Sequence, residues 1–363
     1  MSSDITVDEA RRVVARWVHA QVAAEPGFRG AFLTGSATDL PGAATLPRSS
    51  DVDVTVLVAA AAERRSGKQV VDGVLADVSY LEERVLADPA WVAASFVYAP
   101  SFRGGQVLAD PTGHLGRLEA AIAPGFATPA AVRARTADVH RRIRARLTAL
   151  DPEAAWPDLV IQWLFPTSLT AVAKLVAALR MPTVRLRYLR ARAVTPPAEY
   201  ERLLALVGCA DLAPGLAARH LEEVAARFDE AAAVLARSSA NHPDDRARGD
   251  RGAAAAGGPL PFAADLTPAG RPVAIDGSRD LVAGGNHREA VFWIVATAAR
   301  CQAVLNAHDP ALAAERDQAF RALVADLTGL RTPADVLTRR DALLADLAAP
   351  PPAGRSLRTP GAA

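Results

Sequence analysis

The sequence predicts an α+β fold, a small sheet-bearing domain followed by an all-helical bundle. Three observations carry that expectation. Strand-like segments crowd into the first 110 residues or so, and helical periodicity takes over from residue 129. About 80 of the 363 residues are alanine, the strongest helix former. Half the chain is apolar and 22% is charged, enough to bury a sizeable core and to exclude wholesale disorder. The expected domains span 1–118 and 125–348, with a mobile surface loop at 238–260 and a Pro/Ala/Gly-rich disordered tail at 350–363.

Taken in order, Thr6 and Glu9 have capping-box spacing, and Val7, Ala10, Val14, Trp17, Val18 and Val22 recur at helical intervals, which predicts a helix over 7–24. Pro26 and Gly27 end it. GAFLT at 30–34 is a short apolar strand running into Gly35 and Ser36. A loop rich in Pro, Gly, Ala and Ser follows at 37–49. DVDVTVLV at 51–58 alternates with period 2 and is rich in β-branched residues, so it is a strand. Further strands are expected at 74–81, 96–99 and 106–108. After the turn at 110–113, helices are predicted at 129–150, 157–180, 197–208, 214–237, 285–306, 310–328 and 333–348. The sheet is expected to carry helices on one side, with the bundle against its acidic face.

Several function classes are disfavoured. A net charge of +1 supplies no field that would gather polyanions, so a generic nucleic-acid binder is not expected. The opening MSSDITVDEARR is polar and acidic where a signal peptide is basic and then apolar, and no 18 consecutive residues are apolar, which points to a soluble cytoplasmic protein with no membrane partner. Cys209 and Cys301 have no Cys or His neighbourhood and read as buried small hydrophobes. No histidine spacing suits zinc.

Chemistry concentrates in Thr34-Gly35-Ser36, fourteen residues, then Asp51-Val52-Asp53. Side chains alternate along a strand, so Asp51 and Asp53 share one face, about 7 Å apart. Two carboxylates on an otherwise apolar strand are costly unless a cation neutralises them, and hard divalent cations bound by carboxylates and phosphates suit that arrangement. Gly35 permits a sharp turn and close approach to a ligand, and Ser36 offers a hydroxyl and an amide to phosphate oxygens. Asp77, central in a neighbouring strand, is the candidate third carboxylate of a two-metal site. The alternative is an amphipathic edge strand that merely exposes its acids.

The stretch GSATDLPGAATLPRSSDVDVTVLV resembles the signature of the DNA polymerase β-like nucleotidyltransferases, and within them the streptomycin/spectinomycin adenylyltransferases. That resemblance covers roughly residues 30 to 80. It implies that Gly35 and Ser36 hold a nucleoside triphosphate, that Asp51 and Asp53 ligate Mg²⁺, and that Asp77 is ligand or general base. Residues 1–118 would then be the nucleotidyltransferase domain. The Gly-Ser to Asp spacing is a few residues longer than in those relatives, and Asp77 stands where the drug-modifying ones carry Glu.

Among other residues, Lys174, one of two lysines, sits on a helix from which it could neutralise triphosphate across the cleft; the other, Lys68, reads as a surface turn. Arg185, Arg187, Arg190 and Arg192 form a solvated face or contact phosphates. Asn286, His287, Arg288 and Glu289 open a helix and either bind an anion or cap and pack it. Arg135 and His140 only superficially match an RNase spacing. Glu222, Glu223 and Asp229 are candidate acids for a polycationic acceptor. The expected function is Mg²⁺-dependent transfer of a nucleoside monophosphate, AMP from ATP, to a hydroxyl of a small-molecule acceptor with release of pyrophosphate. The alternatives are AMPylation of a partner protein and non-catalytic nucleotide binding.

Overall fold

The computed structural model describes residues 5–60, 66–241 and 265–348. Its first part is built on a mixed five-stranded sheet. In chain order the strands are β1 (Phe28–Thr34), β2 (Val52–Val58), β3 (Gly67–Val71), β4 (Val74–Glu82) and β5 (Val107–Ala109), arranged β3-β4-β2-β1-β5. β2 and β4 run parallel and the other neighbours antiparallel. β3 and β4 form a hairpin turned at Asp72 and Gly73, both at positive φ.

Alternation along the strands gives each face its own cover. Even-numbered residues of β2 (Val52, Val54, Val56) and of β4 (Ala76, Val78) pack with Val7, Ala10 and Val14 of helix α1 (Val7–Trp17). The capping box is present at Thr6 and Glu9, and the helix continues through a π-turn at Val18–Val22. On the other face, Phe32 and Leu57 pack with Val92 of α2 (Pro89–Ala94) and with Leu115, Leu118 and Ile122 of α3 (His114–Ile122). Helices therefore cover both sides, not one. The covering helices sit over the far end of β2, which leaves its acidic beginning uncovered by them. The strand expected at 96–99 is instead a turn after α2 that leads into a 3-10 turn, Ala99–Phe102. There Phe96 enters the helical core while Phe102 closes the sheet.

From α4 (Pro129–Thr148) onward the chain is helical: α5 (Trp156–Ala177), α6 (Arg187–Arg192), α7 (Pro197–Val207), α8 (Pro214–Asn241), α9 (Gly277–Ala283), α10 (His287–His308), α11 (Pro310–Thr328) and α12 (Pro333–Ala348). α8 runs past the expected end at 237; the rest of the 238–260 segment and the 350–363 tail lie outside the described residues. By length and composition α5 and α10 could cross a membrane, with mean hydropathies of 1.5 and 1.3. Here they are the interior helices, with 83% and 89% of those windows buried, and a helix apolar on every side belongs in a core. Cys209 and Cys301 are buried, and burial pushes both thiols up to about 12.

The residues opening α10 serve packing. His287 Nε2 lies 2.8 Å from the Leu212 carbonyl, and Arg288 pairs with Glu201 at 2.7 Å. Glu289, only 2% exposed, accepts from Arg192 at 2.8 Å and from the Tyr200 hydroxyl at 2.9 Å, joining α6, α7 and α10. Glu289→Ala leaves that buried hydroxyl unpaired and is expected to cost about 1–3 kcal/mol in denaturant titration. Glu201→Ala, at the more exposed pair, should cost less than about 1 kcal/mol.

Candidate metal centre

Strand register sets this site. Thr34 lies across from Asp53, Asp53 from Asp77, and Asp77 from Lys68, so one rung crosses β1, β2, β4 and β3. Residues directly opposite on neighbouring strands share a face. Asp51 stands two residues before Asp53 and so on the same side. One carboxylate oxygen from each of Asp51, Asp53 and Asp77 falls within 4.8 Å of the others.

Such crowding has an electrostatic consequence. Burial of the Asp53 carboxyl, then the charges of Asp51 and Asp77, push it well above the usual carboxylate range. Burial likewise raises Asp77, with the opposing pull of Lys68 too small to reverse it. The Lys68 side chain is only 7% exposed, and its Nζ bridges Asp51 Oδ2 at 2.5 Å and Asp77 Oδ2. Burial alone would lower this ammonium; the two carboxylates more than reverse that and hold it charged. Far from a surface turn, Lys68 is the internal counter-ion of the cluster. Its signal in the sequence was weak but present: GKQVV and VLADVSY flank the turn residues Asp72-Gly73, and pairing them as a hairpin sets Lys68 opposite Asp77.

The Gly-Ser turn presses directly on this rung. Gly35 takes φ 67° and ψ −167°, a conformation that favours glycine, and a Cβ there would lie 1.7 Å from Asp53 Oδ2. The turn is braced from both parts of the chain. Arg11 donates to the Ala37 and Leu40 carbonyls at 3.0 Å each, while Asp39 pairs with Arg103 at 2.9 Å and with Arg190 at 3.5 Å. Behind Asp51, Arg185 donates to the Ser49 carbonyl at 3.1 Å and to that of Gly277 at 2.9 Å, and Ser49 Oγ donates to Asp280 at 3.0 Å.

Gly35, Ser36, the three acids, Lys68 and Arg185 all line one cleft of about 350 Å³, which continues between the helices to Phe165, Phe228, Trp293 and Arg300. Lys174 is not among its lining residues. It lies nine residues beyond Phe165 on α5, half a turn out of phase, and pairs with Glu199 instead. Nor do Glu222, Glu223 and Asp229 reach the cleft; they are joined to Arg279, His220 and Arg271. The four arginines divide. Arg185 lines the cleft and Arg190 braces the turn. Arg192 holds Glu289, and Arg187 is buried over the Phe292 ring at 4.3 Å, where burial pushes it down to about 10. Arg135 is buried against the Phe126 ring at 4.1 Å.

No protein-family model and no curated protein matches this chain.

Three carboxylates aimed at one point fit a hard divalent cation, and Lys68 is its direct competitor. Lys68→Met leaves the cluster without its counter-ion and should cost the apo protein about 3–5 kcal/mol. The same variant should bind Mn²⁺ about tenfold tighter by calorimetry, since no ammonium has to move. Because the folded state raises Asp53, that group's contribution to stability is fully present below the unfolded carboxylate pKa of about 4 and is lost as pH rises through the folded value. Asp53→Asn should therefore melt higher than the parent in chelator at pH 8, by about 1 kcal/mol or on the order of 2 °C, with the gap closing toward pH 4.

Proposed function

We propose that this protein is a divalent-cation-dependent nucleotidyltransferase that moves a nucleoside monophosphate, AMP from ATP, onto a hydroxyl of a small molecule. The observation that carries the reading is the acidic rung, three carboxylates from adjoining strands within 4.8 Å, with Gly35 against Asp53 at the head of a cleft. The likeness of this stretch to the polymerase β-like nucleotidyltransferases supports it further. Asp51, Asp53 and Asp77 would hold Mg²⁺, which when bound neutralises phosphate charge and lowers the pKa of a coordinated hydroxyl.

The chain's own groups do the remainder. Ser36 and the Gly35–Ser36 turn face the cleft, where an amide and a hydroxyl can hold phosphate oxygens. The acceptor oxygen attacks the α-phosphorus in line, forming the new O–P bond as the α–β bridge breaks and pyrophosphate leaves. The acceptor's proton passes to a carboxylate oxygen of Asp77 that the metal does not engage. For this, Lys68 has to give up its bridge, and from the same rung it can then pair with phosphate charge. The described cleft carries no basic track for a nucleic acid.

A second reading, nucleotide binding without transfer, is favoured by Lys68 alone, because an ammonium between Asp51 and Asp77 can stand in permanently for a cation.

Thermal melting with ATP separates the two. Mg²⁺ with ATP at about 100 times its dissociation constant should add roughly 2.7 kcal/mol to wild type. Asp53→Asn should lose the Mg²⁺-dependent share of that gain. Pyrophosphate release with any hydroxyl acceptor selects transfer over mere binding, and labelled ATP that marks a protein band in lysate selects a protein acceptor. No Mg²⁺-dependent shift with any nucleoside triphosphate would sink the catalytic reading.

A further inference from the structure

The inner end of the cleft has a chemistry of its own. Its walls are Phe165, Phe228, Val273 and Trp293, joined by Thr297 and Arg300. Trp293 is 7% exposed, and its indole N–H is buried without a hydrogen-bond partner. A buried donor left unpaired costs about 1–3 kcal/mol, which a ligand oxygen would relieve. The guanidinium of Arg300 lies 5.0 Å from the Trp293 ring centre and 5.4 Å from that of Phe165, and its Nη1 donates to Asp265 at 3.3 Å.

Polarity here is one-sided. Asp265 is the carboxylate that the described residues place at this end, and it already faces Arg300. Among the described residues this end holds no further acid for a polycation, and Glu222, Glu223 and Asp229 are joined elsewhere. Adenine, whose ring nitrogens also accept from a donor, is the competing occupant that the experiment has to separate. The inner end is continuous with the reaction centre, since Asp77 and Asp265 line the same cleft.

We propose that this inner end binds a neutral or anionic aromatic hydroxy compound that presents a carbonyl or carboxylate oxygen to the Trp293 indole N–H, and that it excludes polycations. Calling that compound the acceptor of nucleotidyl transfer rests on the proposed function; its binding does not. The rings of Phe165, Phe228 and Trp293 supply apolar contact, and the indole sets which end of the ligand lies deepest. The hydroxyl then faces the acidic rung.

The test is a titration of ¹⁵N-indole-labelled protein watched by NMR, with three probes: 6-hydroxy-2-naphthoate, adenosine and streptomycin. The chain holds five tryptophans, and the Trp293 signal is the one lost in Trp293→Phe. Should that variant not fold, single replacements of Trp17, Trp91, Trp156 and Trp163 assign it by elimination. The naphthoate should move the Trp293 signal and leave the exposed Trp91 signal in place, and Trp293→Phe should weaken its affinity about three- to tenfold, one hydrogen bond's worth. Movement by streptomycin, movement by adenosine, or no response to the naphthoate overturns the assignment. Each outcome is independent of the Mg²⁺·ATP melting shift. Naphthoate binding without that shift keeps the pocket and removes the transferase, and the shift without naphthoate binding does the reverse.

Discussion

Mutual repulsion among three acids is the constraint around which the molecule is arranged. Asp51, Asp53 and Asp77 crowd within 4.8 Å, and burial together with the neighbouring acids raises Asp53 and Asp77. Lys68 supplies a single positive charge to three carboxyl groups, so further positive charge at the rung is favourable. The same crowding explains why the neighbouring turn must be glycine. A side chain at residue 35 would occupy the volume of the Asp53 carboxylate. Stability and reactivity are in tension at this rung, and each proposed role for it draws on that tension.

The helical part of the chain supplies a wall, held by polar links that cross from sheet to helices. Arg185, Ser49 and Asp280 fasten the approach to β2, and Arg190 fastens the Gly-Ser turn through Asp39. Beneath them α10 is buried nearly throughout and carries both Phe292 in the core and Trp293 at the cleft. Buried arginines lie over aromatic rings at Arg187–Phe292 and Arg300–Trp293, where a weakly hydrated guanidinium keeps favourable contacts in a dry setting. One helix thus ties core packing to the shape of the pocket.

Legibility differed by feature. The long helices from Pro129 onward follow long stretches of helix-forming residues free of loop signals, and their bounds match to within a few residues. Elements shorter than two turns did not stand out: α2, α6 and α9 each have too few residues for a 3.6 period to show. The strand expected at 96–99 failed because four apolar residues fit a strand or a buried turn equally well. Lys174 and Lys68 changed places. Lys174 has apolar neighbours in the chain, yet its phase on α5 turns it to Glu199, while Lys68 follows the loop-forming pair Ser66-Gly67, yet the hairpin sets it opposite Asp77.

What the sequence by itself determined is local. Period-2 alternation put Asp51 and Asp53 on one face, capping chemistry began α1, and the α+β division followed from where strands and helices concentrate. What only the tertiary structure decided is register and phase between distant segments. Lys68 meets Asp77 because β3 pairs antiparallel with β4, and Asp77 meets Asp53 because β4 lies parallel to β2. Arg300 meets the Phe165 ring because α5 and α10 pack against each other in the core. A side chain's direction is set within a few residues of backbone, whereas its neighbours across a sheet or between helices depend on how whole elements pack to bury their apolar faces.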